Sequence, residues 1–315
     1  MLLSNPKTHA VNVTSNALMY LTKPTLEMPV SAAIDAMIRG KNRGVYFGEI
    51  KPEVFGAWQG IKEGSRAFLQ AFKTGEPSDL WGKVEVNYPR AIKGIKGEAA
   101  RIPTKLLLAE DEFAKSIIYR AEINKQAYRN ARNEGLKGDT LAERVTELQN
   151  TPTPEMMNLA HKEALYRTFN QPLGKYGQNL QRLRDFPGVK YFIPFLRTPT
   201  NIAKFALERT PANYAKIAYD YKKGLISKEE LSGELAKPTI GTILGITTVM
   251  LASEGYITGG GPKEKTKREA LMRTGWQPYS FHPNDNYYGF NRFEPLGSIL
   301  GMAADLQEMS VNKIS

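Results

Sequence analysis

The chain has 315 residues, 43 Lys plus Arg against 32 Asp plus Glu, and 41% hydrophobic residues, for a formal net charge of +11. That content supplies one large or two ordinary cores, and the positive balance suits nucleic acid, anionic lipid or an acidic protein surface without choosing among them. The absence of cysteine excludes disulfides, cysteine metal sites and a thiol nucleophile.

Met1-Leu2-Leu3 gives way at once to Ser4-Asn5-Pro6-Lys7, so the start lacks the continuous apolar core of a signal peptide. Asn5-Pro6 reads as an N-cap followed by proline at the first helical position. The helix it opens runs to about Thr22, with Val11, Leu18 and Leu21 as its stripe, and Lys23-Pro24 ends it. A second short helix from Pro29 carries Ile34, Met37 and Ile38 and closes at Gly40. Residues 44–50 read as short and extended. A stronger helix spans 52–73, with bulk from Phe55, Trp58, Phe68 and Phe72. Gly56, Gly60 and Gly64 recur on one side of it. Each costs about 1 kcal/mol relative to alanine, a cost that makes sense where another helix packs backbone-close. Two readings follow: tight packing inside a bundle, or an oligomer or membrane contact.

Residues 75–103 are rich in Gly, Pro and Lys and read as a connector with a short helix at 89–97. Lys105 to Asn133 is a long helix whose Phe113, Ile117, Ala121, Asn124, Tyr128 and Ala131 keep the 3.6 period, leaving a charged outer face. Glu110, Asp111 and Glu112 fall at its start, where the helix dipole favours acids. After Gly135 and Gly138 come helices at 139–148 and 154–169, the latter with Met157, Ala160, Ala164 and Leu165 inward. A short amphipathic helix at 173–184 precedes an extended, buried stretch at 189–196. Thr198-Pro199 and Thr210-Pro211 open two further helices, one with Ile202, Phe205 and Ala206 inward, the other with Tyr214, Ile217 and Tyr221. Ser227-Lys228-Glu229-Glu230 is a capping box opening a helix over 228–236.

Pro238 to Ser253 is 16 residues without a charge. As a helix it spans about 24 Å, against about 30 Å of bilayer hydrocarbon. Gly241, Gly245, Thr248 and Ala252 keep one side small. The segment reads either as a buried core helix or as one that meets a membrane or lines an oligomeric channel. A loop rich in glycine (255–262), expected to be flexible, leads to a basic helix (263–273), an aromatic hairpin (274–292) and an apolar helix (295–306). The expected fold is therefore mainly α, an extended multi-helix assembly with one small aromatic β-hairpin near the C-terminus. Its three regions are 1–100, with the Gly-rich helix 52–73; 101–185; and 186–315, with the apolar segment 238–253 and the hairpin.

Chemistry is sparse. His9, His161 and His282 have none of the usual ligand spacings. Gly259-Gly260-Gly261-Pro262-Lys263-Glu264-Lys265-Thr266 lacks the glycine directly before the lysine that a phosphate loop requires. No catalytic, cofactor-binding or metal residue is expected. Gly56, Gly60, Gly64, Gly241 and Gly245 are the helix-packing or oligomer candidates. Residues 162–204 hold eight basic and two acidic side chains, the most lopsided region of the chain. Candidates for DNA or an anionic surface are Arg182, Arg184, Lys190, Arg197, Lys204, Lys263, Lys265, Lys267 and Arg268. Aromatics beside bases, as in Lys190-Tyr191-Phe192 and Tyr287 to Arg292, suit either stacking on single-stranded nucleic acid or core packing.

Several runs resemble a known family. They are Leu3-Ser4-Asn5-Pro6-Lys7-Thr8-His9, Ile102-Pro103 through Leu108-Ala109-Glu110-Asp111-Glu112-Phe113, and Tyr119-Arg120-Ala121-Glu122. Further on come Pro194-Phe195-Leu196-Arg197-Thr198-Pro199-Thr200-Asn201-Ile202 and Glu208-Arg209-Thr210-Pro211. The last are Ile257-Thr258-Gly259-Gly260-Gly261-Pro262, Thr274-Gly275-Trp276-Gln277-Pro278-Tyr279-Ser280 and Asn291-Arg292-Phe293-Glu294-Pro295-Leu296-Gly297. Together they resemble a module of large phage and prophage proteins similar to the internal virion, or ejection, proteins of short-tailed phages. The resemblance implies a non-enzymatic chain packaged in the capsid interior by the portal and delivered with the DNA to the host periplasm and inner membrane. Implied partners are copies of itself as a homo-oligomer, other virion ejection, portal or tail proteins, phage double-stranded DNA without sequence preference, and the host membrane. The implied function is a channel for DNA delivery; the alternative is a non-catalytic scaffold module of a larger multi-enzyme phage protein containing a muramidase or virion RNA polymerase. The family's opening run starting at residue 3 gives the expectation that these residues belong to a longer chain.

Overall fold

The computed structural model describes residues 6–78, 94–173 and 197–311, which are mainly helical with one two-stranded antiparallel sheet. The chain forms two compact units, residues 1–201 and 202–315. The expected boundary at residue 100 instead falls within a continuous helix, and that at residue 185 lies outside the described residues. The segments expected at 173–184 and 189–196 lie almost wholly outside them as well.

In the first unit, α1 (Pro6–Thr22) does not stop at Lys23-Pro24. It passes through a π-helical turn, Lys23–Glu27, into α2 (Met28–Arg39). The wider ladder of a π turn absorbs the amide that Pro24 lacks. Gly40, at φ +55°, closes α2. Of the hydrophobics α2 carries, Met37 and Ile38 are exposed, at 82% and 53%, and its buried residues are Met28, Ser31, Ala32 and Asp35. Next comes α3 (Ile50–Thr74), ended by Gly75 in the left-handed region.

The long helix α4 (Gly94–Asn133) begins earlier than the sequence suggested. Pro103, ten residues in, removes one amide donor without ending the helix. α5 (Gly138–Asn150) and α6 (Pro154–Arg167) follow, and Thr153 caps α6 by accepting a hydrogen bond from the Met156 amide at 3.3 Å. Ile123, Ala127, Leu148, Met156 and Ala160 form one apolar core between α4, α5 and α6. The inward methionine of α6 is thus Met156 rather than Met157. Ile118, Ala164 and Leu165 form a second core that Tyr20 of α1 covers.

The division between units falls within α7 (Arg197–Glu208). Asn201, on the first unit's side, donates to the backbone carbonyls of Phe169 (2.8 Å) and Gln171 (3.0 Å). In the second unit, Thr210-Pro211 lies in the turn before α8 (Asn213–Lys222). The capping box at Ser227 is formed: Ser227 Oγ accepts from the Glu230 amide at 3.2 Å, and Glu230 Oε2 accepts from the Ser227 amide at 2.9 Å. It opens α9 (Lys228–Ser253), one helix that runs through Pro238 and joins the two expected segments. α10 (Lys265–Arg273), β1 (Ser280–Phe281), β2 (Tyr288–Gly289) and α11 (Leu296–Val311) complete the unit. Ser280 pairs with Gly289 and Phe281 with Tyr288. A two-residue ladder is too short to stand alone. It is supported by Thr258, whose Oγ1 accepts from the Ser280 amide at 2.9 Å, and by a core of Ile257, Phe290 and Ala304 with Leu251, Tyr279 and Leu300 against it.

Candidate functional site

The first glycine row is a helix–helix contact within the chain. A Cβ at Gly56 would lie 2.7 Å from the Arg120 carbonyl oxygen and 2.8 Å from Ala121 Cα. At Gly60 it would lie 2.8 Å from Ile117 Cα, and at Gly64 2.9 Å from the Phe113 carbonyl oxygen. As α3 advances its partners on α4 recede, so the two helices run antiparallel with their backbones nearly touching. Polar pairs flank the seam: Asn124 donates to Gln59 at 3.0 Å, and Arg120 pairs with Glu63 at 3.1 Å. Consequently Phe55 and Trp58, expected to supply core bulk, face outward, Trp58 at 73% exposure. Val13, Val54, Trp58, Ile61, Leu69 and Phe113 line an apolar groove of about 790 Å³ bordered by α1, α3 and α4.

The second row splits. A Cβ at Gly241 would overlap the Arg209 carbonyl oxygen, so Gly241 is where the end of α7 docks on α9. Gly245 has nothing within 4 Å of that position. Beyond it α9 turns an apolar face outward, with Ile243, Ile246, Val249 and Met250 exposed. Among the described residues, α9 is the one helix long and apolar enough to cross a membrane. The other side of α9 packs on α11, whose own Met302, Leu306 and Met309 are exposed.

Of the basic candidates, Arg182, Arg184 and Lys190 lie outside the described residues. Arg197 and Lys204 sit on α7, where Lys204 pairs loosely with Glu208 at 3.7 Å. Lys263, Lys265, Lys267 and Arg268 come together on α10 and the residue run before it. α10 has no buried residue. Its lysines make only exposed pairs, Lys265 with Glu269 at 3.8 Å and Lys267 with Glu264 at 2.9 Å, which contribute little to stability and leave the helix a positive projection.

The glycine loop is not loose. The amides of Gly259 and Gly261 donate to the two oxygens of Glu308 (2.7 and 2.9 Å), and the Gly260 amide donates to Asp305 Oδ1 (2.7 Å). Three successive amides make an anion nest, and the carboxylates of α11 fill it. The sequence carried a sign of this, since Gly261 at φ +78° and the close approach at Gly259 exclude other residues.

Sequence reasoning missed the buried charge cluster of the first unit. The face of α4 read as charged and outward holds Glu112, Lys115, Glu122 and Lys125, all buried. The acidic run is mid-helix, so the dipole does not explain it. Glu110 is bound by His9 (3.0 Å) and Asn12 (2.8 Å), and Asp111 by Lys115 (2.6 Å) and Asn170 (2.8 Å). Around Glu122 gather Lys23 at 3.1 Å and Lys125 at 2.5 Å. Lys23 also pairs with Glu163, and Arg167 with Glu163 and Glu27. Burial opposes ionisation of Glu122, but Lys125 and Lys23 outweigh it and hold the carboxyl down at about 2. Glu163 is held well below the usual carboxylate range because Lys23 and Arg167 likewise outweigh burial.

Glu53 of α3, 2% exposed, completes the cluster. It has no ion pair among the described residues, and its Oε2 has no hydrogen-bond partner. Burial pushes its carboxyl up to about 7, against the pull of Lys125 and Lys23. Nearby, Arg129 grips Glu49 through two bonds of 3.0 and 2.6 Å, and Asp35 accepts from the Gly44 and Val45 amides at 2.7 and 3.0 Å.

His9 serves this packing and His282 stacks on Tyr287 with ring centroids 4.1 Å apart. Among the described residues no three His, Asp or Glu side chains are placed to hold a metal ion. In comparisons with known proteins the sequence matches no protein-family model, no curated protein and no solved structure.

Proposed function

We propose that this chain is a structural phage ejection protein, carried in the virion by the portal and assembling into a channel that passes DNA across the host envelope. In this reading it has no catalytic role, and its partners are further copies of itself, other virion proteins, DNA held without sequence preference, and the host membrane. The observation that carries the reading is the surface of the second unit: an outward apolar face on α9 in the same unit as the exposed basic helix α10. An apolar face of that length suits a neighbouring helix or lipid, and exposed lysines suit phosphate in lipid or DNA. The resemblance of the sequence runs supports the same assignment. A helical chain without disulfides also refolds through mostly local contacts, as passage through a narrow tail requires.

The test is the mass of the assembled species by mass photometry, with and without anionic liposomes, together with double-stranded DNA binding over a salt series. A discrete oligomer promoted by lipid, and DNA affinity falling steeply with salt, are expected. A chain that stays monomeric and ignores both DNA and liposomes overturns the proposal.

The division into two compact units favours a second reading, a non-catalytic scaffold module of a larger multi-enzyme phage protein. An enzymatic domain in the same reading frame would decide for it.

A further inference from the structure

The cluster that Glu53 enters is built from four elements. Tyr20 of α1 and Lys23 and Glu27 of the π turn face it from one side, Glu122 and Lys125 of α4 from another, and Glu163 and Arg167 of α6 from a third. Farther along the same seam, Arg129 is matched by Glu49, and Arg39 lies 3.8 Å from Asp35. The three cations Lys23, Lys125 and Arg167 are each in direct contact with Glu27, Glu122 or Glu163. That leaves Glu53 as a fourth carboxylate against three cations, and the one carboxylate of the set without an ion pair. With Glu53 neutral the buried group balances. With Glu53 ionised it carries one unmatched negative charge, placed on a residue only 2% exposed, which is costly.

The position of Glu53 gives that imbalance a mechanical outlet. It lies one turn before Gly56, where α3 begins its backbone-close run along α4. Around this end of the seam the buried Tyr20 hydroxyl, Arg120 Nε and Asn124 Oδ1 likewise lack hydrogen-bond partners among the described residues. A protonated carboxyl supplies one donor; an ionised carboxylate adds a further acceptor.

We propose that Glu53 is a proton-operated clasp: while its carboxyl is protonated the start of α3 stays packed on α4, and loss of that proton loosens this end of the seam. The direction follows from linkage. A carboxyl held above its unfolded value stabilises the folded state most below about pH 4.5, and that contribution is lost as pH rises to about 7. Glu122 and Glu163 act oppositely, but their contribution is already complete above the unfolded carboxylate range and is lost only in strong acid. Burial lowers the Lys125 ammonium as well, so the comparison with Glu53→Gln, not the pH dependence by itself, assigns the transition to Glu53. The same helix lines the groove through Val54, Trp58 and Ile61, so loosening the seam changes that groove too.

The experiment is hydrogen exchange of the full chain at pH 5 and pH 7.8, corrected for intrinsic exchange rates and read on peptides covering 50–64. The wild-type chain should lose protection at pH 7.8 by roughly 100-fold, while Glu53→Gln, which keeps the shape and a donor without the charge, should lose little. Equal losses in both proteins, or no loss in the wild type, would overturn the clasp. Carbon-detected NMR titration of glutamate carboxyls in the wild type covers the case in which Glu53→Gln does not fold. One carboxyl titrating between pH 6 and 8 supports the proposal, and none doing so overturns it.

Discussion

The first unit holds a buried charge cluster, and the long apolar helix of the second turns hydrocarbon outward. Lys23, Glu53, Glu122, Lys125 and Arg167 lie inside the four-element packing of the first unit, whereas Ile243, Ile246, Met250 and Leu306 point outward from the second. The two arrangements have different energetic standing. A buried ionic network stabilises only as a complete set, because removing one partner strands another charge where water cannot reach it. An exposed apolar face costs the folded monomer little and becomes favourable only when something covers it. The charge cluster is thus specified from within the chain, whereas the outward face of α9, like the groove beside α3, is a surface for an outside contact.

The largest test of this contrast is Arg167→Met. It leaves Glu27 without its cation and Glu163 with Lys23 alone. The first unit should lose about 3–5 kcal/mol, the usual cost of breaking a buried pair from one side. Denaturant unfolding followed by exchange of α4 and α6 peptides would read it. A loss under about 1 kcal/mol would mean that water already reaches the cluster.

Next in size is Gly60→Ala. The substitution gains helix propensity, but its Cβ would press on Ile117 Cα at 2.8 Å, so α3 has to shift off α4. A net loss of about 1–3 kcal/mol is expected, as for other overpacked contacts. Gly245→Ala carries the opposite sign. With nothing within 4 Å it should stabilise α9 by about 0.5–1 kcal/mol through propensity alone. The pair separates a glycine kept for contact inside the chain from one with no such contact. If Gly245→Ala leaves the monomer stable and yet blocks assembly, the open glycine is part of an interface.

These same positions show what the sequence could convey. The glycine spacing on α3 announced a close helix contact, and the structure supplies the partner, α4, whose contacting residues lie 49 to 68 positions away and are not encoded in local periodicity. The capping box at Ser227 and the hairpin after Thr274 were legible because cap and turn chemistry is local. The charge cluster was not. Glu122 and Lys125 sit on a helix with apolar residues on its other faces, and the ordinary reading of such charges is a solvated surface. Only the convergence of the π turn, α3 and α6 buries them, and each brings one or two charges that look unremarkable alone. Pro238 misled in another way. A proline within a helix suggests a boundary, but α9 continues because both flanks are packed, with Ser232 and Ala236 buried before Pro238 and Ile240 and Gly241 after it.

The smallest effect on folding should come from the double change Ile246→Gln and Met250→Gln. Both side chains are exposed on α9, so the second unit should keep its stability within about 0.5 kcal/mol. Thermal unfolding in detergent-free buffer would check that. The same substitutions replace apolar surface by amides that hydrocarbon or a neighbouring helix would have to desolvate. If α9 is covered in the assembled state, lipid-promoted oligomerisation should fall sharply while the monomer is untouched, and binding of DNA through α10 should persist. If assembly survives the double change, the outward face of α9 is not the interface, and the apolar groove beside α3 becomes the surface to alter next. A loss of folding would instead mean that the face is already covered within the chain, which would dissolve the contrast between the two units.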